Sequence, residues 1–291
     1  MIEFANVNDI DSIIQLWKTC FGDNDKYIKN FIVNRMTSEN CLVYRKNQDI
    51  ISMMFLLSGE IKIAHSYFKS LYIYAACTVP EQRGKGIMAQ IIKAAEKIAR
   101  NNDIDYICLA PATESLFQYY SKFGFIACFK KKILSISRKQ LNLIAAENAE
   151  EFYADLLNIT KLRNDVFNNE DYFVWDKDAV NYSISENEIT GGSSVNLKHD
   201  GHLAGYAIYC DNNEYVLIKE LCVKKEQLDL IFKLIFLKTN ADHLIFNLPV
   251  NFPLTSDDFR IIYNGMIKPV SAKGEDHISE IHNAYLGLTL E

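Results

Sequence analysis

A glycine-rich turn near residue 84 offers the clearest chemistry in this sequence. It reads Glu81-Gln82-Arg83-Gly84-Lys85-Gly86-Ile87, between the predicted strand Leu71–Val79 and the predicted amphipathic helix Ile87–Arg100. The start of a helix offers unpaired N–H groups and a partial positive charge, both of which favour a bound phosphate. Glycines within the turn remove side chains that would hold an anion away from those donors. The turn therefore predicts a phosphate or pyrophosphate site.

The same two glycines are also typical of an ordinary strand-to-helix turn that needs them only for its geometry. The turn is not a Walker loop, because no Gly-x4-Gly-Lys-Ser/Thr pattern is present. It is not a dinucleotide fingerprint either, because the third glycine is missing and Ala89 stands only loosely at its place. The turn alone leaves both interpretations open, so a second pattern is needed.

That second pattern follows after a helix and a short strand, Tyr106–Ala110, and runs from Thr113 to Phe125. Its sequence, Thr-x-x-Leu-x-x-Tyr-Tyr-Ser-Lys-Phe-Gly-Phe, resembles the Asn-x-x-Ala-x-x-Phe-Tyr-x-x-x-Gly-Phe signature of the GNAT superfamily of N-acetyltransferases. The turn resembles that superfamily's motif Gln/Arg-x-x-Gly-x-Gly/Ala. Arg83, Gly84 and Gly86 match, and Glu81 departs from the first position. The two motifs occur in the order and at the separation found in GNAT proteins.

The resemblance implies an α/β (α+β) fold with a mixed, mostly antiparallel sheet flanked by helices. It also implies that acetyl-CoA, as co-substrate, lies between diverging strands at Leu71–Val79 and Tyr106–Ala110. Backbone groups of Ala76, Cys77 and Thr78 would then bind the pantetheine arm as an added strand. The resemblance assigns the pyrophosphate to the backbone N–H groups of Arg83, Gly84, Lys85, Gly86, Ile87, Met88 and Ala89. Thr113 would contact the cofactor through its hydroxyl or simply cap the following helix.

Tyr120 matches the general acid of the superfamily, which would protonate the thiolate released when an amine attacks the thioester directly. Tyr120 could instead be an aromatic packing residue. Packing is the better explanation for Tyr119. A backbone N–H near Thr78 is the expected donor to the carbonyl oxygen. Cys77 and Cys108 flank the predicted cleft, but no His or Asp is placed to make a thiolate, so burial explains them better than covalent catalysis.

The base that deprotonates the amine cannot be identified from the sequence. Tyr72, Tyr74 and His65 are candidates for the acceptor pocket, with packing equally expected. Glu81 is a loop acid, for which solvent exposure is the ordinary explanation. The basic run Lys130–Lys132 would either meet the 3′-phosphate of the cofactor or form a solvated hairpin edge between two strands.

Composition bounds the remaining possibilities. The chain has 291 residues, 49% of them apolar, with a net charge of −6, which favours neither nucleic acid nor an anionic membrane as partner. No apolar window is long enough for a membrane span, and the N-terminus has no signal-peptide pattern, so a cytoplasmic protein is expected. The seven cysteines are scattered and indicate free thiols, and we predict no metal, even at His199 and His202. A homo-oligomer remains compatible with the sequence.

The second half repeats the order hairpin, strand, helix, strand, but its sequence Val223-Lys224-Lys225-Glu226-Gln227 contains no glycine. We predict a catalytic GNAT domain at 1–136, a linker at 137–150 and a degenerate GNAT-like domain without a CoA motif at 151–291. This arrangement resembles the tandem-domain Eis-like acetyltransferases, in which the terminal carboxylate reaches the active site. That resemblance implies a catalytic role for the terminal carboxylate of Glu291, although the chain is too short for their third domain.

Three functions follow as candidates. The first is transfer of an acetyl group from acetyl-CoA to a primary amine of a small molecule or peptide. The second is a non-catalytic module that binds or senses CoA, in which Tyr120 only packs. The third is an aminoacyl transferase with tandem GNAT domains, which would need aminoacyl-tRNA and is disfavoured by the acidic net charge.

Overall fold

The computed structural model describes residues 1–141 and 149–288. Helices and strands alternate irregularly in the first half of the chain. In chain order its elements are β1 Ile2–Phe4, α1 Ile10–Phe21, α2 Asp25–Arg35, β2 Cys41–Lys46, β3 Asp49–Ile63, β4 Ser66–Thr78, α3 Ile87–Asn101, β5 Tyr106–Leu109, α4 Glu114–Ser121, β6 Ile126–Ser137 and α5 Arg138–Leu141. Amphipathic spacing accounts for the long helices, since α3 buries Ile87, Ile91 and Ala95 along one stripe.

The second half contains the same types of element in a similar order. Its elements are β7 Glu150–Glu151, α6 Leu156–Val166, β8 Tyr172–Val174, α7 Lys177–Ile189, β9 Ser193–His199, β10 His202–Asp211, β11 Tyr215–Val223, α8 Leu228–Lys238, β12 His243–Leu248, β13 Phe259–Pro269 and α9 Ala272–His277. The sequence analysis missed α7. Its two faces differ little in polarity, and its start is marked mainly by Asp176, whose side chain accepts a hydrogen bond from the Ala179 N–H.

One mixed sheet joins the strands of the described residues. Its order is β1-β2-β3-β4-β5-β13-β6-β12-β11-β10-β9-β7, and β8 pairs with β3 outside this path. The pairs β4/β5 and β11/β12 are parallel, each joined by a crossover helix, α3 or α8, and the remaining pairs are antiparallel. The predicted fold class, a mixed and mostly antiparallel sheet flanked by helices, is thus confirmed.

The two halves are interlocked at the centre of the sheet. β13, from near the C-terminus, lies between β5 and β6, with Ile267 opposite both Cys108 and Ile126. β6, from the first half, in turn pairs with β12 of the second half. Each half of the chain therefore contributes a strand that pairs with strands of the other half within the one sheet. The limits 1–136, 137–150 and 151–291 stay a prediction, and much of the proposed linker lies outside the described residues.

Two polar stretches lie inside single strands, so the basic run Lys130–Lys132 does not separate two strands. Ser58-Gly59-Glu60 lies within β3, where a Cβ on Gly59 would stand 2.4 Å from the ring of Phe173. Gly59 thus permits close packing by β8 and does not form a turn. Lys130-Lys131-Lys132 lies within β6, and the buried Lys132 ammonium donates to the carbonyl of Phe252 at 2.6 Å. Backbone carbonyls of the second half thereby allow this lysine inside the sheet.

The two faces of the first-half sheet pack against different layers. One face buries residues such as Leu71 and Ile73 against α3 and α4. The other buries Tyr72, Tyr74 and Cys77 against α1, α2 and parts of the second half, including α7. Alternation along β4 directs neighbouring side chains to opposite faces, so this strand contributes to both layers.

Candidate active site

A gap opens beside the last third of β4. This strand pairs with β5 only from Ser70, opposite Tyr106, to Ile73, opposite Leu109, and then continues alone on that side to Thr78. Ala75 has φ of 46°, and the register with β3 shifts there, which defines a β-bulge. The strand edge beyond Ile73 is therefore open to an extended ligand. It includes Ala76, Cys77 and Thr78, the residues predicted to bind the pantetheine arm.

The glycine-rich turn after β4 is exposed and spacious. Pro80–Gln82 forms a short 3₁₀ turn, and α3 begins at Ile87. Gly84 and Gly86 both have φ of 74°, in the left-handed region, and a Cβ on either would meet no protein atom within 4 Å. These glycines are required for conformation, not for packing. The turn leaves the N-terminal end of α3 accessible to an anion from solvent.

The charged side chains of the turn bind its own backbone. Arg83 Nε donates to the Thr78 carbonyl at 3.0 Å, and Lys85 Nζ donates to the Glu81 carbonyl at 2.8 Å. Arg83 thus links the turn to the end of β4, while Glu81 is exposed. Ile87 is buried and anchors the first turn of α3, in which Met88 and Ala89 are half-buried. The turn is a fixed structure with two positive charges beside it.

Tyr120 and Thr113 lie on α4 and at its start. Tyr120 is buried, with its ring edge-on to Tyr119 and Phe125 at centroid distances of 5.4 and 5.7 Å. Burial raises its pKa well above the ordinary value, and nearby Tyr119 and Cys77 add to the shift. The phenol therefore stays neutral and able to donate a proton at physiological pH. Thr113 caps α4, accepting from the Leu116 N–H at 3.4 Å.

Cys77 and Cys108 are buried, as the packing interpretation expects. The pKa of Cys77 is raised by its hydrogen bond with Cys20 and by burial, and the pKa of Cys108 is raised by burial. No sequence pattern singles out Cys20, on α1, whose sulfur lies 3.5 Å from the Thr78 carbonyl oxygen. A hydrogen bond from Cys77, followed by the charge of Arg83, lowers the pKa of Cys20 to about 7. Cys20 is therefore the cysteine beside the gap that can form a thiolate near neutral pH.

The candidates for the acceptor pocket lie in different surroundings. Tyr72 is buried against Trp175, with ring centroids 5.1 Å apart. His65 is exposed in the turn between β3 and β4. Tyr74 is the first β4 residue beyond the last pair with β5, and its hydroxyl lies 3.0 Å from that of Tyr27. Only Tyr74 of these three lies directly at the gap.

Two further expectations concern metals and membranes. Among residues 1–141 and 149–288, no group of three or more His, Cys, Asp or Glu side chains is arranged to hold a metal ion. His199 and His202 face each other across the β9/β10 turn. In the same described ranges, no helix is both long and apolar enough to cross a membrane.

Comparisons with known proteins agree with the predicted resemblance. Residues 2–128 match the family model described as "Acetyltransferase (GNAT) domain". No match was found among curated proteins.

Solved structures share the fold over nearly the whole chain. A GCN5-related N-acetyltransferase from Anabaena variabilis superimposes with a TM-score of 0.75 at 16% identity, covering 94% of this chain and 74% of that one. Eis1 from Mycobacterium abscessus gives 0.72 at 10% identity, covering 96% and 76%. A tandem GNAT protein from the clavulanic acid biosynthesis pathway gives 0.52 at 12% identity, covering 93% and 98%. These similarities establish the fold over nearly the whole chain.

Proposed function

We propose that the protein transfers an acetyl group from acetyl-CoA to a primary amine of a small molecule or peptide. The observation that carries this proposal is the combination of an open strand edge, Ala75–Thr78, with an exposed glycine turn leading into α3. An extended amide-containing arm fits the first feature, and a pyrophosphate fits the second. The two lie a few residues apart on one chain segment, as a ligand carrying both groups requires.

The pantetheine arm and the pyrophosphate of acetyl-CoA would each bind to a separate set of backbone groups. The pantetheine arm would bind along the backbone of Ala76, Cys77 and Thr78. The pyrophosphate would bind at the turn, where the glycines allow close approach to the backbone N–H groups from Arg83 to Ala89. Arg83 and Lys85 would add charge attraction without needing to leave their present hydrogen bonds. Thr113 would support α4 as its cap.

The chemistry proposed is direct attack of the amine on the thioester carbonyl. The C–N bond forms and the C–S bond breaks, so the nitrogen loses one proton and the CoA sulfur gains one. The phenol of Tyr120 would donate to the departing thiolate, and a backbone N–H near Thr78 would donate to the carbonyl oxygen as it gains charge. Direct attack needs no covalent intermediate, in keeping with the buried, weakly acidic thiols of Cys77 and Cys108.

The second half is proposed to shape the acceptor cleft without binding CoA. β11 also extends beyond its last pair with β12, but Lys225–Gln227 follows without a glycine. Beside that extension, the buried Glu220 carboxylate is paired with Arg163, Nε to Oε1 at 3.1 Å. It also accepts from the Leu288 N–H at 3.2 Å. Groups of the chain itself thus surround the strand that would correspond to β4.

A role for the terminal carboxylate of Glu291 stays a proposal, because that residue lies outside the described residues. What supports it is the course of the preceding segment. Trp175 Nε1 donates to the Leu286 carbonyl at 2.9 Å. A Cβ on Gly265 would stand 3.0 Å from the Leu286 side chain and 3.1 Å from the Leu109 carbonyl oxygen. The segment therefore passes the end of β5, next to the gap.

A direct assay tests the function. We expect acetyl-CoA to bind in isothermal titration with a Kd in the micromolar range, roughly −8 kcal/mol. A panel of polyamines, aminoglycosides and peptides should then yield an acetylated amine together with free CoA, measured by mass spectrometry.

The outcomes separate the three candidate functions. Binding followed by turnover supports the acetyltransferase. Binding without turnover of any amine, over a broad panel, would instead support a CoA-sensing module. Absence of acetyl-CoA binding would contradict both and favour the aminoacyl transferase.

A further inference from the structure

A closed group of three tyrosines and one glutamate lies where α2 packs against α7. The Tyr27 hydroxyl donates to Glu186 Oε1 at 2.5 Å, and the Tyr182 hydroxyl donates to the same oxygen at 3.0 Å. The Tyr74 hydroxyl lies 3.0 Å from that of Tyr27 and also hydrogen-bonds with Tyr182. We call these four residues the Tyr–Glu ring. It joins the first half of the chain, through Tyr27 and Tyr74, to the second half, through Glu186 and Tyr182.

The ring connects β4, at the residue where the gap begins, to α7. Tyr74 directly precedes the bulge at Ala75 and lies just beyond the last β4/β5 pair. Tyr74, Tyr27 and Glu186 keep 8%, 7% and 6% of their surface exposed, whereas Tyr182 is fully buried. Phe31 packs against Tyr74 and Tyr182, with ring centroids at 4.8 and 5.4 Å, which holds the phenols in place. The hydroxyls of Tyr74 and Tyr27 thus form a hydrogen-bonded connection from β4 beside the gap to Glu186.

The electrostatics of the ring suit a positive charge at the gap. Burial, with the charge of Glu186, raises the pKa values of Tyr27, Tyr74 and Tyr182, so the phenols stay neutral. Asp23 adds a further negative charge near Tyr74. Neutral phenols both donate and accept, as a relay requires.

We propose that the Tyr–Glu ring takes the proton that an ammonium group must lose before it can attack the thioester, with Glu186 as the final acceptor. The nitrogen gives its proton to the Tyr74 oxygen, Tyr74 gives its own to Tyr27, and Tyr27 gives its own to the Glu186 carboxylate. Both phenols end neutral, and Glu186 ends as a carboxylic acid that later returns the proton to solvent. The acceptor is therefore an alkyl primary amine that is protonated at neutral pH. This inference rests on the proposed function and supplies the base that the sequence could not identify.

The test compares Glu186→Gln with Glu188→Gln, an exposed glutamate on the same helix. The substrate is the alkyl amine with the highest kcat/KM in the panel above. At pH 7 we expect Glu186→Gln to lower kcat/KM about 100-fold. The deficit should shrink to under about threefold near pH 11, where most of a lysine-like amine, with a reference pKa of about 10.4, is neutral without help. Glu188→Gln should match the wild type throughout, and all three proteins should bind acetyl-CoA equally.

A second variant covers the case in which Glu186→Gln fails to fold. Tyr74→Phe removes the first hydroxyl of the relay and leaves Glu186 with its bonds from Tyr27 and Tyr182. The same pH-dependent loss is expected. A loss of activity that is equal at every pH would show that the ring only stabilises the structure, and it would overturn the proposal. Full activity of both variants would also overturn it. If the wild type acetylated no amine, the proposed function itself would be wrong. That result differs from one in which the wild type is active and the variants show no pH-dependent loss.

Discussion

Replacing Gly86 with valine is expected to weaken acetyl-CoA binding on the order of 100-fold, about 2.8 kcal/mol. The new side chain would occupy the open space beside the turn, where nothing in the protein lies within 4 Å of a Cβ. That space is where a pyrophosphate must approach the backbone N–H groups, and each charge-assisted hydrogen bond lost costs roughly 1.5–3 kcal/mol. Isothermal titration with acetyl-CoA measures the effect.

The control for this prediction is Gly201→Val. Gly201 has φ of 79° and equally open surroundings, but it lies in the β9/β10 turn. Both substitutions force a branched residue into the left-handed region, so both should lower the free energy of unfolding by roughly 1–3 kcal/mol. Only Gly86→Val should change the Kd. Equal affinities for the two variants would show that the turn does not hold the phosphates.

Replacing Tyr120 with phenylalanine is expected to lower kcat by roughly one to three orders of magnitude. The variant keeps the ring, and with it the contacts to Tyr119 and Phe125, but loses the proton that would go to the CoA sulfur. The Kd for acetyl-CoA should change little, because the hydroxyl acts on the leaving group. Steady-state kinetics with the acceptor identified above measure the loss.

Tyr119→Phe is the matched control, one residue away on α4. The Tyr119 ring packs edge-on against Phe123 at 5.1 Å, and we expect near wild-type kinetics from this variant. Because the pKa of Tyr120 is raised, its phenol stays protonated as the pH rises through its ordinary value near 10. The wild-type rate should therefore show no loss from Tyr120 ionisation up to that pH. An unchanged kcat in Tyr120→Phe would remove it from the role of general acid.

Features encoded over short stretches could be predicted from the sequence. The strand, glycine turn and helix around Gly84 and Gly86 are such a case, because the left-handed φ values select glycine directly. The helix that ends before Gly124 is another, with Thr113 at its start. These local signals place the motif residues on the correct elements, which is why the family resemblance was visible. Whether those residues bind and catalyse stays a prediction.

Features that depend on distant parts of the chain could not be predicted. Nothing local shows that Phe259–Pro269 inserts between β5 and β6, since pairing partners more than 100 residues away leave no nearby pattern. The bulge at Ala75 is also hidden, because alanine rarely adopts positive φ and is held there by the pairing with β3. The Tyr–Glu ring needs the packing of α7 on α2. Without that packing, nothing in the sequence distinguishes Glu186 from the other acidic residues as a base.

The central claim is that one ligand binds along the open edge of β4 and at the glycine turn together. Amide hydrogen exchange of the whole protein, with and without saturating acetyl-CoA, tests this claim most directly. We predict slower exchange in peptides covering Ala75–Thr78 and Gly84–Ala89, with no change at Lys224–Leu228. Unchanged exchange at the first two segments, or protection of the third in their place, would contradict the account.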